Sequence, residues 1–373
     1  QLRKAIADLD SARTRTVDSR RLAMLGELGF AARLALAGVL LHEAVGRGAE
    51  ATAILEDAEG RAGTDGEKLA SVWGMRIKAF EAQGKLDDAA KLLDGLLQKN
   101  PDARGLGAAA SAIGKAFDER SAQARAKDPR SPAAEELLRK AARYYGLGAK
   151  SLAGGGEVVR SEDLDAIAKR LFAIALQFNE VPEECGGSFV KWRATSRRAP
   201  ELWEQAALLF EAAVSASPSH LPRINLGRCQ GFLGRWREGA RAYAELFERE
   251  PFVDRESRRM NAPLLSAKPE LLPAYLEWGV CEHRAAVADG EADRFRRASE
   301  IYSLLCSNLP DTSATWWQAK YLQIRVLIDQ GDYGQAEFFL RDLKRNTGDF
   351  PEEWKEPFRE IEEELSRKVF RKQ

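Results

Sequence analysis

Apolar residues along this chain recur every three to four positions rather than every second one. In residues 70–101, Trp73, Ile77 and Phe80 share one helical face, and Gly84 interrupts the run. Ala89, Leu93 and Leu96 then line the inner face of a second run, which Pro101 closes. This spacing predicts two amphipathic helices joined by a tight turn, a helical hairpin. The pattern returns in residues 220–251. Leu226 and Gly227 lie in the first helix, Gly234 marks the turn, Gly239, Tyr243 and Leu246 line the second helix, and Pro251 ends it. A glycine lets two helices approach, and an aromatic side chain fills the groove beside it. Proline lacks the N–H that a further turn needs.

More units follow in the same register. Ala206, Phe210, Ala213 and Pro218 repeat the second-helix spacing. So do Ala298, Tyr302, Leu305 and Pro310, and Ala336, Leu340 and Leu343 repeat it without the final proline. Tyr275, Trp278 and Gly279 fit the first-helix half. Together these residues resemble the tetratricopeptide repeat (TPR) family, whose units carry a Trp, Leu-Gly and Tyr in the first helix and Ala, an aromatic and Pro in the second. The resemblance covers most of residues 69–349 and, more loosely, 20–63.

Some segments depart from the pattern. Residues 104–150 lack the Leu-Gly pair and the closing proline. The first helix of the unit containing Ala206 is expected far upstream, over about 161–179, with residues 181–200 inserted after it. The turn near 288–293 is longer than in the other units, and residues 252–270 read as a linker or short helix. Residues 352–370, rich in Glu, read as a terminal helix that shields the last apolar face of a stack. Gly154, Gly155 and Gly156 mark a break. The resulting expectation is all-α: a right-handed α-solenoid of about six or seven TPR-like hairpins. It would comprise an N-terminal array over 1–153, a C-terminal array over 154–351, and a capping helix and tail over 352–373.

Composition agrees with helices. The chain has 59 Ala and 44 Leu against 33 Val, Ile and Thr together, and the first two lose little freedom in a helix. Lys+Arg and Asp+Glu are each 57, so the formal charge is zero, which argues against a dedicated nucleic-acid binder. The basic runs Arg255, Arg258 and Arg259, and Arg294, Arg296 and Arg297, read as solvated faces. The longest unbroken apolar run, residues 34–41, is far short of the roughly 20 residues that span a bilayer, so no membrane span is expected. There is no basic-then-apolar leader pattern, and a cytoplasmic location is the expectation.

Little in the chain points to covalent chemistry. Cys185, Cys229, Cys281 and Cys306 form no CxxC pair and read as free thiols. Cys281 and His283 stand two apart, so on a helix they point about 200° apart and cannot share an ion. Cys185 lies beside Gly186 and Gly187 with no histidine nearby in sequence. The triplet at Gly154 lacks the strand and the GK[ST] ending of a phosphate loop. No catalytic residue, metal ligand or cofactor is assigned.

The resemblance implies instead that first helices line a concave groove that holds a peptide or partner segment. On that register the groove face carries Asn225, Arg228 and Phe232 in one unit, Glu277, His283 and Arg284 in the next, and Tyr321 and Arg325 in the last. Asn225, Arg228, Phe232, Arg284, Tyr321 and Arg325 are the candidate partner-binding residues. Three arginines from successive units would suit an acidic segment or a C-terminal carboxylate, because guanidinium groups bind carboxylates in a forked geometry. The expected role is a non-catalytic scaffold or adaptor for a protein or peptide partner. The alternative is the regulatory or substrate-recognition part of a larger enzyme, such as a protease or kinase. A third reading lets the helix over 352–370 pack on a second copy of the chain.

Overall fold

The computed structural model describes residues 1–16, 18–42, 46–63, 65–99, 106–128, 131–153, 161–181, 188–190, 199–216, 219–249, 251–252, 268 and 271–370. Among these every regular element is an α-helix. The protein is all-α, as the pattern predicts. Two compact units divide at Ile174/Ala175. The break expected at Gly154, most of the linker expected over 252–270, most of the insertion with Cys185, and Pro101 and Pro218 lie outside the described residues.

The first unit, Gln1–Ile174, contains α1 (Leu2–Arg15), α2 (Ser19–Leu41), α3 (Gly48–Ala62), α4 (Gly66–Ala82), α5 (Leu86–Lys99), α6 (Leu106–Lys127), α7 (Pro132–Ala153) and most of α8 (Ser161–Phe178). From α1 to α7 each helix packs on the next, and α2 and α4 also reach the next helix but one. This is the stacking of a repeat array, in which each unit hides its apolar face only against its neighbours. Phe30, Leu36, Leu40, Leu55 and Val72 form one core of this unit. The irregular stretch 104–150 becomes its longest hairpin, α6 with α7. Small residues bring these two helices together: a Cβ on Gly114 would lie 3.0 Å from Tyr145, and one on Gly148 2.3 Å from Ser111 Oγ.

Among the described residues one helix, α2, is long and apolar enough to cross a membrane by length and composition. No long unbroken apolar run marks it because Glu27 and Arg33 interrupt the apolar residues. In the fold, Arg33 is buried at 3% exposure and donates to Asp10, Asp57 and the Gly29 carbonyl. That face of α2 is a core face.

The second unit, Ala175–Gln373, contains the end of α8 and α9 (Pro200–Ala216), α10 (His220–Leu233), α11 (Trp236–Phe247), α12 (Leu271–Asp289), α13 (Ala292–Asn308), α14 (Ala314–Asp329), α15 (Tyr333–Thr347) and α16 (Glu352–Phe370). Its hairpins are α10/α11, α12/α13 and α14/α15, with α9 packed on α10. Their turns carry Gly234, Gly290 and Gly331 at φ of 72°, 72° and 81°, a left-handed conformation that side chains disfavour. The extra length near residue 288 is helix rather than loop, because α12 runs on to Asp289. The register residues Ala206, Phe210, Ala213, Ala298, Tyr302, Leu305, Ala336, Leu340 and Leu343 are all buried. The terminal helix α16 covers the last hairpin, with Phe358, Ile361 and Leu365 in a core shared with Trp316, Trp317 and Leu340.

Candidate functional site

The packing of the second unit decides which polar side chains remain available. Glu277, expected on the groove face, is 0% exposed. Both its oxygens accept from Arg228 Nε at 3.1 Å, and Oε2 also accepts from Tyr243 Oη at 2.7 Å. Burial works against the charge on Arg228, but Glu277 outweighs it and holds the guanidinium ionised. Arg228 is therefore the partner of a buried acid. Phe232 is 0% exposed and stacks on Trp203 at 4.3 Å between ring centroids. Asn225, one turn before Arg228 on α10, is half-buried.

The other three candidates do converge. Arg284 on α12 and Tyr321 and Arg325 on α14 line one cleft of 770 Å³, within the size range of ligand sites. His283, Gln318, Leu322 and Asp329 share its polar and central walls, and Trp354 and Pro357 come from α16. Phe189, Val190, Gly231, Trp236 and Val280 close the end toward α10 and α11. Asn225, Arg228 and Phe232 do not line it.

Charge is unevenly satisfied in this cleft. Asp329 accepts from His283 Nε2 at 3.0 Å and from Arg325 at 3.1 Å. Arg325 donates also to Glu364 of α16 at 2.5 Å. Burial pushes the Asp329 carboxyl up, but the His283 hydrogen bond and the charges of Arg325, His283 and Arg284 together hold it below the usual carboxylate range. Arg284 is exposed, and among the described residues it has no ion-pair partner. The cleft thus offers one guanidinium with open donors, Arg284, beside one that is already engaged, Arg325. Its apolar surface is aromatic: Tyr321 lies 6.0 Å from Trp354 and 5.8 Å from Phe358.

Trp236, Trp354 and Phe189 belong to the site although the repeat register does not point to them. Trp236 opens a second helix, Trp354 sits on the cap, and Phe189 belongs to the insertion. The only sequence signal is an aromatic residue where a solvated one would serve. Phe189 reaches the cleft because Gly231 has no side chain: a Cβ there would lie 2.2 Å from the Phe189 ring. Among the described residues no group of three His, Cys, Asp or Glu is placed to hold a metal ion.

No protein-family model and no curated protein matches the chain. Solved structures similar to it include the C-terminal part of a TPR repeat-containing protein from Cytophaga hutchinsonii, at 11% identity and a TM-score of 0.34, covering 84% of this chain and 94% of that one. Yeast Tom70 is similar at 12% identity and a TM-score of 0.21, with 99% and 87% covered. Naa15/Naa10 bound to HypK-THB is similar at 14% identity and a TM-score of 0.21, with 93% and 66% covered. The chain's repeat pattern and the glycine-to-aromatic packing of α10/α11 and α12/α13 resemble those of TPR hairpins.

Proposed function

We propose that the second unit is a non-catalytic scaffold that holds an extended, carboxylate-bearing segment of a partner protein in the cleft between α12, α14 and α16. Arg284 carries this reading, because it is exposed in the cleft and has no ion-pair partner among the described residues. An acidic side chain or a C-terminal carboxylate would accept from it in the forked geometry. Tyr321 and Trp354 would pack on the ligand's apolar groups, since aromatic side chains supply large contact area at low entropic cost. Arg325 would contribute charge rather than free donors, being held by Asp329 and Glu364.

The test uses fluorescent peptides with acidic residues and either a free or an amidated C-terminus, titrated against the protein. The binding peptides should lose about tenfold or more in affinity with Arg284→Ala, the range for a charge-assisted hydrogen bond. Loss on amidation selects the terminal carboxylate as ligand, and retention selects the acidic side chains. Unchanged affinity in Arg284→Ala would remove the reading.

A further inference from the structure

The outward face of α2 is apolar along its length. Met24, Leu28 and Val39 are 60%, 47% and 50% exposed. At 100° per residue, positions 24, 28, 31, 35 and 39 fall within about 80° of one another, so these three form one stripe with the exposed Ala31 and Ala35. The opposite face of the helix buries Phe30, Leu36, Ala37 and Leu40 in the core.

A basic corner adjoins this stripe. Arg13 and Arg15 end α1, and Arg20 and Arg21 begin α2 one turn before Met24, at the two margins of the stripe. All four arginines are exposed, and none has an ion-pair partner among the described residues. By contrast Arg3, Arg33 and Arg61 of the same unit are each paired with acids. Asp18 is the one acid in residues 13–21, and it caps α2 by accepting from the Arg20 and Arg21 backbone. Glu27, beside the stripe, is neutralised by Lys68.

We propose that this face of α2, with its arginine corner, seats on the surface of a bilayer rich in anionic lipid. The apolar stripe would enter the headgroup boundary and the arginines would meet lipid phosphates and carboxylates. The helix lies along the surface rather than crossing it, because crossing would strip Arg33 of Asp10 and Asp57. A second copy fits poorly. Antiparallel pairing would set Arg20 and Arg21 against the apolar Val39 end, and parallel pairing would set arginine against arginine.

Flotation of the full chain with vesicles tests this. The chain should float with phosphatidylcholine vesicles containing about 30% phosphatidylserine and not with phosphatidylcholine alone, and raising salt from about 0.1 to about 0.5 M should release it. Arg20→Ala with Arg21→Ala should lower partitioning about 25-fold, at about fivefold per arginine. Met24→Ser with Leu28→Ser should lower it about tenfold or more. Both pairs are exposed, so circular dichroism and the urea midpoint should not move. The proposal is overturned by equal flotation with neutral vesicles, by none with either, or by partitioning that ignores both variants. Self-association that Met24→Ser with Leu28→Ser abolishes, without vesicle binding, would overturn it too and assign the face to a second copy.

Discussion

The ring of Tyr302 lies where a side chain at Gly279 would begin: a Cβ there would be 2.5 Å from Tyr302 Cε1. Tyr243 stands in the same relation to Gly227, also at 2.5 Å. Each pair joins the two helices of one hairpin, and both rings are fully buried. A fully buried ring has nowhere to retreat. Gly279→Ala should therefore destabilise the second unit by about 1–3 kcal/mol, the usual overpacking range. Gly95 lies inside α5 with nothing within 4 Å of its would-be Cβ. Gly95→Ala should stabilise by about 0.5–1 kcal/mol, because alanine is the better helix former. Urea denaturation of both variants checks the opposite signs.

Glu277 sits at the centre of a buried network, and losing either partner leaves a charge without a counterpart. Glu277→Ala strands Arg228 and the Tyr243 hydroxyl, and Arg228→Ala strands Glu277. Each should cost about 3–5 kcal/mol of stability, the range for breaking a buried pair from one side. Arg228 does not line the cleft, so Arg228→Ala should leave the affinity of a cleft-bound peptide unchanged wherever the protein stays folded. Denaturation and peptide titration on the same preparation separate the two effects.

These two cases show what the sequence alone reveals. The Gly-aromatic pairs and the glycine turns at Gly84 and Gly234 act within one hairpin, over a few tens of residues, so spacing exposes them. The cleft is different in kind. It draws on α10, α11, α12, α14, α16 and residues 188–190. Register correctly places Arg228, Arg284 and Arg325 on first helices, yet it cannot tell which of them meets an acid. Arg228 finds Glu277 across 49 residues, whereas Arg284 finds no ion-pair partner among the described residues. That difference is decided by helix packing, and local periodicity carries no trace of it. The stripe on α2 escapes for a related reason: periodicity identifies an apolar helix but not how much of its circumference the neighbours cover.

The three cysteines among the described residues should be chemically quiet. Cys229 and Cys281 are fully buried, and burial pushes both thiols far above their ordinary range. Cys306 is partly buried and pushed up to about 11 by burial, against the opposing charge of Lys320. Thiolate is the reactive form, so at pH 8 the native protein should label slowly at all three positions and rapidly once unfolded in urea. Iodoacetamide labelling with peptide mapping by mass spectrometry resolves the sites. Fast labelling of Cys281 in the native state would contradict the packing of α12.

Acid should weaken the second unit through Asp329. Its carboxyl titrates below the usual range in the folded state, because His283, Arg325 and Arg284 outweigh the opposing effect of burial. A carboxylate whose native pKa is depressed binds protons more tightly when unfolded. Its stabilisation is thus fully present above the unfolded value, about 4, and is lost as pH falls through the depressed native value. Asp329→Asn removes this titration while keeping a side chain of similar size. The stability advantage of wild type over Asp329→Asn should shrink as pH falls below about 4. Urea midpoints on either side of that pH measure it. A difference that stayed flat to pH 2 would show that Asp329 is not held as a carboxylate by His283 and Arg325.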